Sequence, residues 1–278
     1  MTALEFSLVL FLSSLAAGLL GALSGLGGGV VIVPVLTILF NVDIHYAIGA
    51  SLVSVIATSS GAAAAYVREG FSNIRIGMFL EIATTLGALF GAWLTTRVPT
   101  HSIGFIFGLV LLYSAFASIK KHHEALAQNP DPLALRLKLQ GSLPTGPISQ
   151  QAYVAQRVPA GFGLMTVAGT LSGLLGIGSG AVKVIAMDQA MRLPFKVSTT
   201  TSNFMIGVTA AASAGLYLRS GYLAPALVFP VMLGVLAGSL IGSRILVKAR
   251  VRTLKLVFAL VIAALGVEMI VNSVTGKL

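Results

Sequence analysis

Long apolar runs separated by short polar stretches dominate this chain. Each long run has about 20 residues, the length that a helix needs to cross roughly 30 Å of hydrocarbon. The pattern predicts helices near residues 5–24, 30–40, 46–66, 76–96 and 103–119, and again near 159–175, 181–191, 197–217, 223–246 and 254–273. We therefore expect an all-α membrane protein.

The second helix of each set is too short to cross a bilayer alone at about 1.5 Å per residue. In each half it continues the preceding helix after a glycine motif, Gly25-Leu26-Gly27-Gly28-Gly29 in the first and Gly176-Ile177-Gly178-Ser179-Gly180 in the second. The combined run is too long for one straight crossing. A glycine-broken helix pair is therefore predicted to open each half.

The two halves match each other at an offset of 151 residues. Without gaps, residues 18–113 align with 169–264, and 20 of the 96 pairs are identical, seven of them glycine. The shared features are the glycine motifs, a Tyr-x-Arg-x-Gly segment end (Tyr66, Arg68 and Gly70; Tyr217, Arg219 and Gly221) and a glycine pair (Gly87 and Gly91; Gly238 and Gly242). We predict a duplication, with repeat 1 at 1–119, a linker at 120–158 and repeat 2 at 159–278. The glycine pairs favour close helix packing.

Composition supports a membrane location, since 56% of the 278 residues are hydrophobic and only 9% are charged. The net charge of +10 does not indicate nucleic-acid binding, because the basic residues lie between apolar runs, where they report topology. The first 67 residues contain no Lys or Arg, so the basic start of a signal peptide is missing. The first run is expected to belong to the mature fold.

The positions of the basic residues distinguish two topologies. If each glycine-broken run crosses once, the loop Lys and Arg residues divide nine to eight between the two sides. If each run turns back, they divide 14 to 3, as the positive-inside rule requires. The smaller set is Arg97, Arg219 and Lys277. The sequence therefore predicts two inverted-topology repeats of about five helical segments each, a cytoplasmic linker and both termini outside.

Inverted repeats imply a transport function. In such transporters the substrate site lies near the midplane, where discontinuous helices meet. The short helices beginning near Val30 and Ala181 would point their positive ends at this region, which favours an anion. Close packing is the other use of glycine in membranes. The candidate binding residues in the motifs are Gly25, Gly27, Gly28, Gly29, Gly176, Gly178, Ser179 and Gly180.

Taken together, the doubled glycine break, the segment ends and the basic central loop resemble the sulfite exporter TauE/SafE family of bacterial membrane transporters. The resemblance covers nearly the whole chain except the linker. It implies passage of small sulfur-containing anions, such as sulfite, sulfonates or sulfoacetate, across the inner membrane. Ser179 stands where the first motif has Gly28, which leaves open whether both halves contribute equally to a site.

Few ionisable residues lie inside the predicted spans. Lys183 follows the second glycine motif, and a buried ammonium usually pairs with an ion, a carboxylate or a ligand, so anion contact is favoured over snorkelling. Asp188 precedes Arg192 by four residues, which favours a surface pair. Glu81, Asp188 and Glu268 are candidates for a coupling proton, although an interfacial or helix-contact role is favoured for Glu81 and Glu268.

A polar run, residues 198–203 (STTTSN), opens the span that follows the second short helix. Its hydroxyl groups could replace the hydration shell of an oxyanion, or could cap and join helices, as Ser and Thr often do in membranes. Ser51 and Ser202 are the better candidates because both repeats have serine there. Asn203 is included with them.

The linker differs in composition. Residues 120–123 (KKHH) form a basic cluster expected at the membrane surface. Leucine alternates with other residues over 133–140, which is typical of a strand. With turn residues at 141–147 and a second strand over 153–158, the pattern predicts a small cytoplasmic β-hairpin.

Two other functional classes fit the sequence less well than a transporter. An anion channel would use similar helix breaks. An enzyme is disfavoured because all four histidines lie in loops or at span ends, and no paired intramembrane carboxylates, cysteines or metal-ligand spacings occur. We expect no cofactor and no metal. The expected partners are a small anion, the lipid bilayer and, as a candidate coupling ion, a proton; nucleic acid is not expected. The sequence assigns neither one cargo nor an oligomeric state.

Overall fold

The computed structural model describes residues 3–24, 28–68, 72–119, 131–144, 150–246 and 251–276, and most of them are helical. The helices of the first half are α1 (Ala3–Ser24), α2 (Gly29–Pro34, extended by a π-helical turn at Val35–Leu39), α3 (Ile44–Arg68), α4 (Ile74–Thr95) and α5 (Thr100–Ile119). Those of the second half are α7 (Val158–Leu175), α8 (Gly180–Ile185, extended by a π-helical turn at Ala186–Ala190), α9 (Phe195–Arg219), α10 (Pro225–Leu246) and α11 (Val251–Val274). The prediction of a mostly helical fold is confirmed.

Helix boundaries repeat at the offset seen in the sequence. Helix α2 begins at Gly29 and α8 at Gly180, so the two starts differ by 151 residues. The same difference separates both ends of α3 from those of α9, both ends of α4 from those of α10, and the two π-helical turns. The two halves therefore fold into the same series of segments.

Helices of the two halves pack against each other in a reciprocal way. Helix α1 packs on α10, and its counterpart α7 packs on α4. Helix α3 packs on α9, and α5 packs on α11. Each half therefore completes the core of the other, and residues from both contribute to the main buried apolar cluster.

Glycines permit the closest of these crossings. A Cβ atom placed on Gly87 or Gly91 of α4 would lie 2.2 Å or 2.1 Å from a backbone oxygen of α7. One placed on Gly238 of α10 would lie 2.0 Å from the carbonyl oxygen of Leu15 in α1. The packing interpretation is confirmed for these three glycines, whereas the surroundings of Gly242 lie outside what the structure describes.

Many large apolar side chains face outward, among them Leu86, Phe90, Leu260 and Val274. Among the described residues, three helices are long and apolar enough to cross a membrane by length and composition: Ile74–Thr95, Thr100–Ala117 and Val158–Leu175. At the end of α4, the Arg97 guanidinium lies 4.4 Å from the ring centroid of Trp93. Such an aromatic and basic pair is typical of a membrane–water interface.

The linker forms a hairpin, but its first strand lies later and its second strand earlier than predicted. The structure has a short helix α6 (Pro132–Arg136) followed by antiparallel strands β1 (Gln140–Pro144) and β2 (Gln150–Val154), with Gln140 opposite Val154. The strand predicted over 133–140 is wrong because Asp131 caps a helix there, accepting a hydrogen bond from the Leu133 backbone N–H, and Pro132 favours a first helical turn. The basic cluster at 120–123 lies outside the described residues.

This hairpin packs onto the helical body. Leu139, Leu143 and Tyr153 share a buried apolar cluster with Ile76 and Leu80 of α4. The same cluster includes residues of the second π-helical turn and of α9. The hairpin therefore covers one end of the α4, α8 and α9 group.

Asn73 connects the hairpin to the first turn of α4. Its side-chain oxygen accepts a hydrogen bond from the Ile76 N–H at 3.1 Å, and its Nδ2 donates to the Tyr153 hydroxyl at 3.0 Å and to the Gln140 carbonyl at 3.2 Å. Burial raises the pKa of Tyr153, and the bond from Asn73 lowers it in part, so the phenol stays protonated at neutral pH. One side chain thus serves both as a helix cap and as a link to the linker.

We expect Asn73→Ala to lower the free energy of unfolding by about 2 kcal/mol, since it removes a helix cap and two donated bonds. Asn73→Asp keeps the capping oxygen and loses the donors, so its loss should be smaller. Thermal unfolding of both variants in detergent measures the difference. Equal melting temperatures for Asn73→Ala and the unmodified protein would contradict this role.

Candidate functional site

The two glycine motifs meet between the halves. The Ser51 hydroxyl of α3 donates a hydrogen bond to the Gly176 carbonyl at 2.8 Å and lies 3.3 Å from the Gly29 carbonyl. A Cβ atom on Gly29 would lie 3.1 Å from the Gly176 oxygen and 2.7 Å from a methyl group of Val55. Glycine is needed here because the backbones of the two breaks are in contact.

The second half repeats one of these contacts. The Ser202 hydroxyl of α9 lies 3.3 Å from the Gly180 carbonyl, as that of Ser51 does from Gly29. In both halves a serine therefore joins the third helix to the start of the short helix. These two hydroxyl protons are directed at backbone oxygens, which the sequence alone did not reveal.

The two breaks differ in backbone conformation. Gly176, Gly178 and Ser179 all have positive φ, at 68°, 68° and 45°, whereas Gly28, the counterpart of Ser179, has φ of −66°. A serine in the left-handed region is held there by its surroundings at some cost, and such residues cluster at functional sites. The Ser179 hydroxyl is buried and has no hydrogen-bond partner. It is a free donor at the start of α8.

A buried chain of three side chains lies beside the second break. Lys183 of α8 is fully buried, and its Nζ donates to the Thr209 hydroxyl of α9 at 2.5 Å. The Thr209 hydroxyl donates either to Oε1 of Glu81 in α4 at 2.7 Å or to the Met205 carbonyl at 2.9 Å. The Thr85 hydroxyl donates to the same Glu81 oxygen at 3.2 Å. The chain thus joins α4 of the first half to α8 and α9 of the second.

The first half has no equivalent of this chain. The residues at the same offset are Ile32 for Lys183 and Met232 for Glu81, while Thr58 matches Thr209. The Thr58 hydroxyl bonds to backbone oxygens of its own helix, Ser54 and Val55. Of the two sets of positions that are equivalent in the repeat, only the set containing Lys183 and Glu81 is therefore charged.

The remaining sequence candidates have varied positions. Gly25 and Gly27 lie outside the described residues. Asn203 is half-buried on α9, and Glu268 is exposed on α11. In the polar run, Thr199 and Thr200 donate to carbonyls one turn back in α9 itself, so these two bonds do not join α9 to another helix.

Sequence reasoning missed Thr209 and the burial of Glu81 beside Lys183. The available signal was the departure from the repeat, since Lys183 and Glu81 each replace an apolar residue of the other half. Lys183 and Glu81 thus introduce opposite charges into predicted spans where the other half is apolar. Two such charges are expected to lie together and neutralise each other.

A second cluster joins the halves where α4 and α9 end. The Tyr217 hydroxyl donates either to the Thr95 hydroxyl at 3.0 Å or to the Gly173 carbonyl at 3.1 Å. His45 stacks on Tyr222 with ring centroids 4.8 Å apart, and its Nδ1 lies 2.9 Å from an Asp43 oxygen. These contacts close the fold on the side away from the linker hairpin.

Comparison with known proteins identifies the family. Residues 10–269 match the family described as Sulfite exporter TauE/SafE. The chain belongs to this family. Its curated TauE/SafE-type relatives include the Probable membrane transporter proteins YunE and YdhB of Bacillus subtilis (strain 168) and MJ0441 of Methanocaldococcus jannaschii.

YunE is 27% identical over 96% of this chain and 98% of its own length, and YdhB is 28% identical over 85% and 87%. MJ0441 is 23% identical over 96% and 98%. No solved structure matches the chain significantly. The protein is thus a membrane transporter of the TauE/SafE type and not an enzyme.

Proposed function

We propose that this protein carries small sulfur-containing oxyanions across the bacterial inner membrane by alternating access, with the anion bound at Lys183. The observation that carries the proposal is the fully buried Lys183 ammonium beside the second glycine break. A buried charge in a membrane protein is costly, so it usually marks a substrate or ion path. Its direct partner is a neutral hydroxyl, which an incoming anion can replace or join.

Free donors around Lys183 support an oxyanion as the substrate. The unpartnered Ser179 hydroxyl begins the same short helix and can donate a hydrogen bond to an oxyanion. The full proposed lining contains Gly25, Gly27, Gly28, Gly29, Ser51, Gly176, Gly178, Ser179, Gly180, Lys183, Ser202 and Asn203. For Ser51 and Ser202 the proposal requires that the hydroxyl proton turn from a glycine carbonyl to the anion.

The mechanism follows from an inverted arrangement of the two halves. The 14 to 3 distribution of basic residues supports it, and with it a cytoplasmic linker and outward termini. The reciprocal packing of α1 on α10 and of α7 on α4 is what a twofold relation between halves produces. The two halves would then rock around the site where the glycine breaks meet.

The substrate class rests on the family description, which names sulfite. Sulfite and sulfonates share a compact group of sulfur-bound oxygens carrying negative charge. A lysine ammonium and a hydroxyl donor match that group in charge and in hydrogen bonding. An anion channel is the second candidate, because glycine breaks and polar linings also occur in channels.

Uptake into proteoliposomes tests the proposal. Labelled sulfite and labelled methanesulfonate are supplied over a wide range of concentrations, with protein-free liposomes as the control. We expect the initial rate to saturate for at least one of the two anions. A rate that rises linearly without saturation would favour the channel, and no flux of either anion would contradict the substrate class.

A further inference from the structure

Helix packing does not account for the environment of the Glu81 carboxyl group. Its side chain is only 6% exposed, and its Oε1 lies within hydrogen-bond distance of the Thr209 and Thr85 hydroxyls. Its second oxygen, Oε2, is buried without any partner. Because a buried carboxylate oxygen without a donor is costly, Oε2 is the natural place for a proton.

Lys183 supplies the positive charge that faces Glu81. Helix α7, which packs on α4, contains no ionisable side chain over Val158–Leu175. The hairpin that packs on α4 contributes Tyr153, which is bonded to Asn73. The other charged or titratable groups of α4, of α8 with its π-helical turn and of α9 are Arg75, Asp188, Lys196, Tyr217 and Arg219. Of these, Arg75, Lys196 and Arg219 belong to terminal turns of α4 and α9, Asp188 belongs to the π-helical turn, and Tyr217 bonds to Thr95 and Gly173.

One buried positive charge can balance one negative charge. Without substrate, that negative charge is the Glu81 carboxylate, which is joined to Lys183 through Thr209. An anion bound at Lys183 would place a second negative charge next to Glu81, where both side chains are buried. Two such charges at one site raise the proton affinity of the carboxylate.

We infer that Glu81 is the coupling group of the transporter: it takes up one proton when an anion binds at Lys183 and releases it when the anion leaves. This rests on the proposed function and deepens it by making a proton the co-transported ion. The proton comes from the water on the side to which the site is open, and it binds at Oε2. Anion and proton therefore cross together. The positive charge of Lys183 is balanced at every stage, either by the bound anion or by the Glu81 carboxylate.

The repeat comparison supports a single coupling site. The positions equivalent to Lys183 and Glu81 hold Ile32 and Met232, so the exchange of partners can occur in one place only. Thr209 acts as a positioning residue, since its hydroxyl accepts from Lys183 and can donate to Glu81. We therefore expect a ratio of about one proton per bound anion.

The test counts protons during binding to the purified full-length protein in weakly buffered detergent solution. Methanesulfonate is the probe, because sulfonates stay fully ionised near neutral pH and every proton taken up must go to the protein. A pH indicator reports uptake while calorimetry reports binding. We expect about one proton per anion for the unmodified protein and none for Glu81→Gln, which still binds the anion.

Glu268→Gln is the matched control, because Glu268 is exposed on α11 and should leave proton uptake unchanged. If Glu81→Gln does not fold, calorimetry of the unmodified protein in buffers with different ionisation enthalpies still counts the proton. Binding without proton uptake, or uptake that persists in Glu81→Gln, would overturn the inference and leave the substrate class intact. Failure of the unmodified protein to bind methanesulfonate or sulfite would contradict the proposed function as well.

Discussion

Replacing Lys183 by methionine is expected to reduce saturable anion uptake by a factor of about 10 to 100, because a hydrogen bond to a charged group contributes roughly 1.5–3 kcal/mol. Methionine keeps most of the volume of the lysine side chain and removes its charge. Initial rates of labelled sulfite uptake into proteoliposomes, normalised to inserted protein, provide the measurement.

A loss of uptake could also come from a destabilised fold. Removing one partner of a buried charged pair costs about 3–5 kcal/mol when the other charge remains. The double variant Lys183→Met with Glu81→Gln removes both charges, so its melting temperature should recover towards that of the unmodified protein. Its anion uptake should stay low. Recovery of stability without recovery of transport separates anion binding from a structural role.

Ile32→Met is the control at the equivalent position of the first half. Ile32 is buried like Lys183 but carries no charge, and a change between apolar side chains of similar volume usually costs less than about 1.5 kcal/mol. We expect transport by this variant to stay close to that of the unmodified protein. Unchanged rate and affinity in Lys183→Met would remove Lys183 from the site.

The second large effect is expected at the crossing of α4 and α7. A Cβ atom on Gly173 would lie 2.0 Å from the carbonyl oxygen of Ala88, and one on Gly169 would lie 2.1 Å from that of Thr84. Backbone cannot move away as a flexible side chain can, so Gly173→Ala must separate the two helices. We expect a loss of about 3 kcal/mol or more in stability, and little protein that is monodisperse in detergent.

Gly163 provides the control on the same helix. It is exposed, and a Cβ atom there would meet nothing within 4 Å. Gly163→Ala should therefore behave as the unmodified protein does in size-exclusion chromatography and thermal unfolding. The packing account would be contradicted if Gly173→Ala and Gly163→Ala gave the same yield and melting temperature.

Much of the fold could be predicted from the sequence because two features indicate the helices. Apolar runs located the segments, and the offset between Gly29 and Gly180 related the segments of one half to those of the other. The hairpin shows where a local pattern misleads. Alternating leucines between Leu133 and Leu139 resembled a strand, but the capping by Asp131 and the Pro132 that follows it start a helix instead.

The candidate site was only partly predictable. The glycine breaks and Lys183 stand out in the sequence as an interruption and as a charge inside an apolar run. The connection of Lys183 to Glu81 cannot be seen in the sequence, because it depends on the packing of α4 of one half against α8 and α9 of the other. Likewise, the serine pair was found from the repeat, while the directions of the Ser51 and Ser202 hydroxyls follow from packing.

The central claim is that the protein is an alternating-access carrier with its anion site at Lys183. Counterflow tests this claim most directly. Proteoliposomes are loaded with unlabelled sulfite or methanesulfonate and diluted into a trace of the same labelled anion. A carrier with one site open to either side should accumulate label transiently above equilibrium, and Lys183→Met should not. Label that enters only to equilibrium in the unmodified protein, or an overshoot that survives in Lys183→Met, would contradict this account.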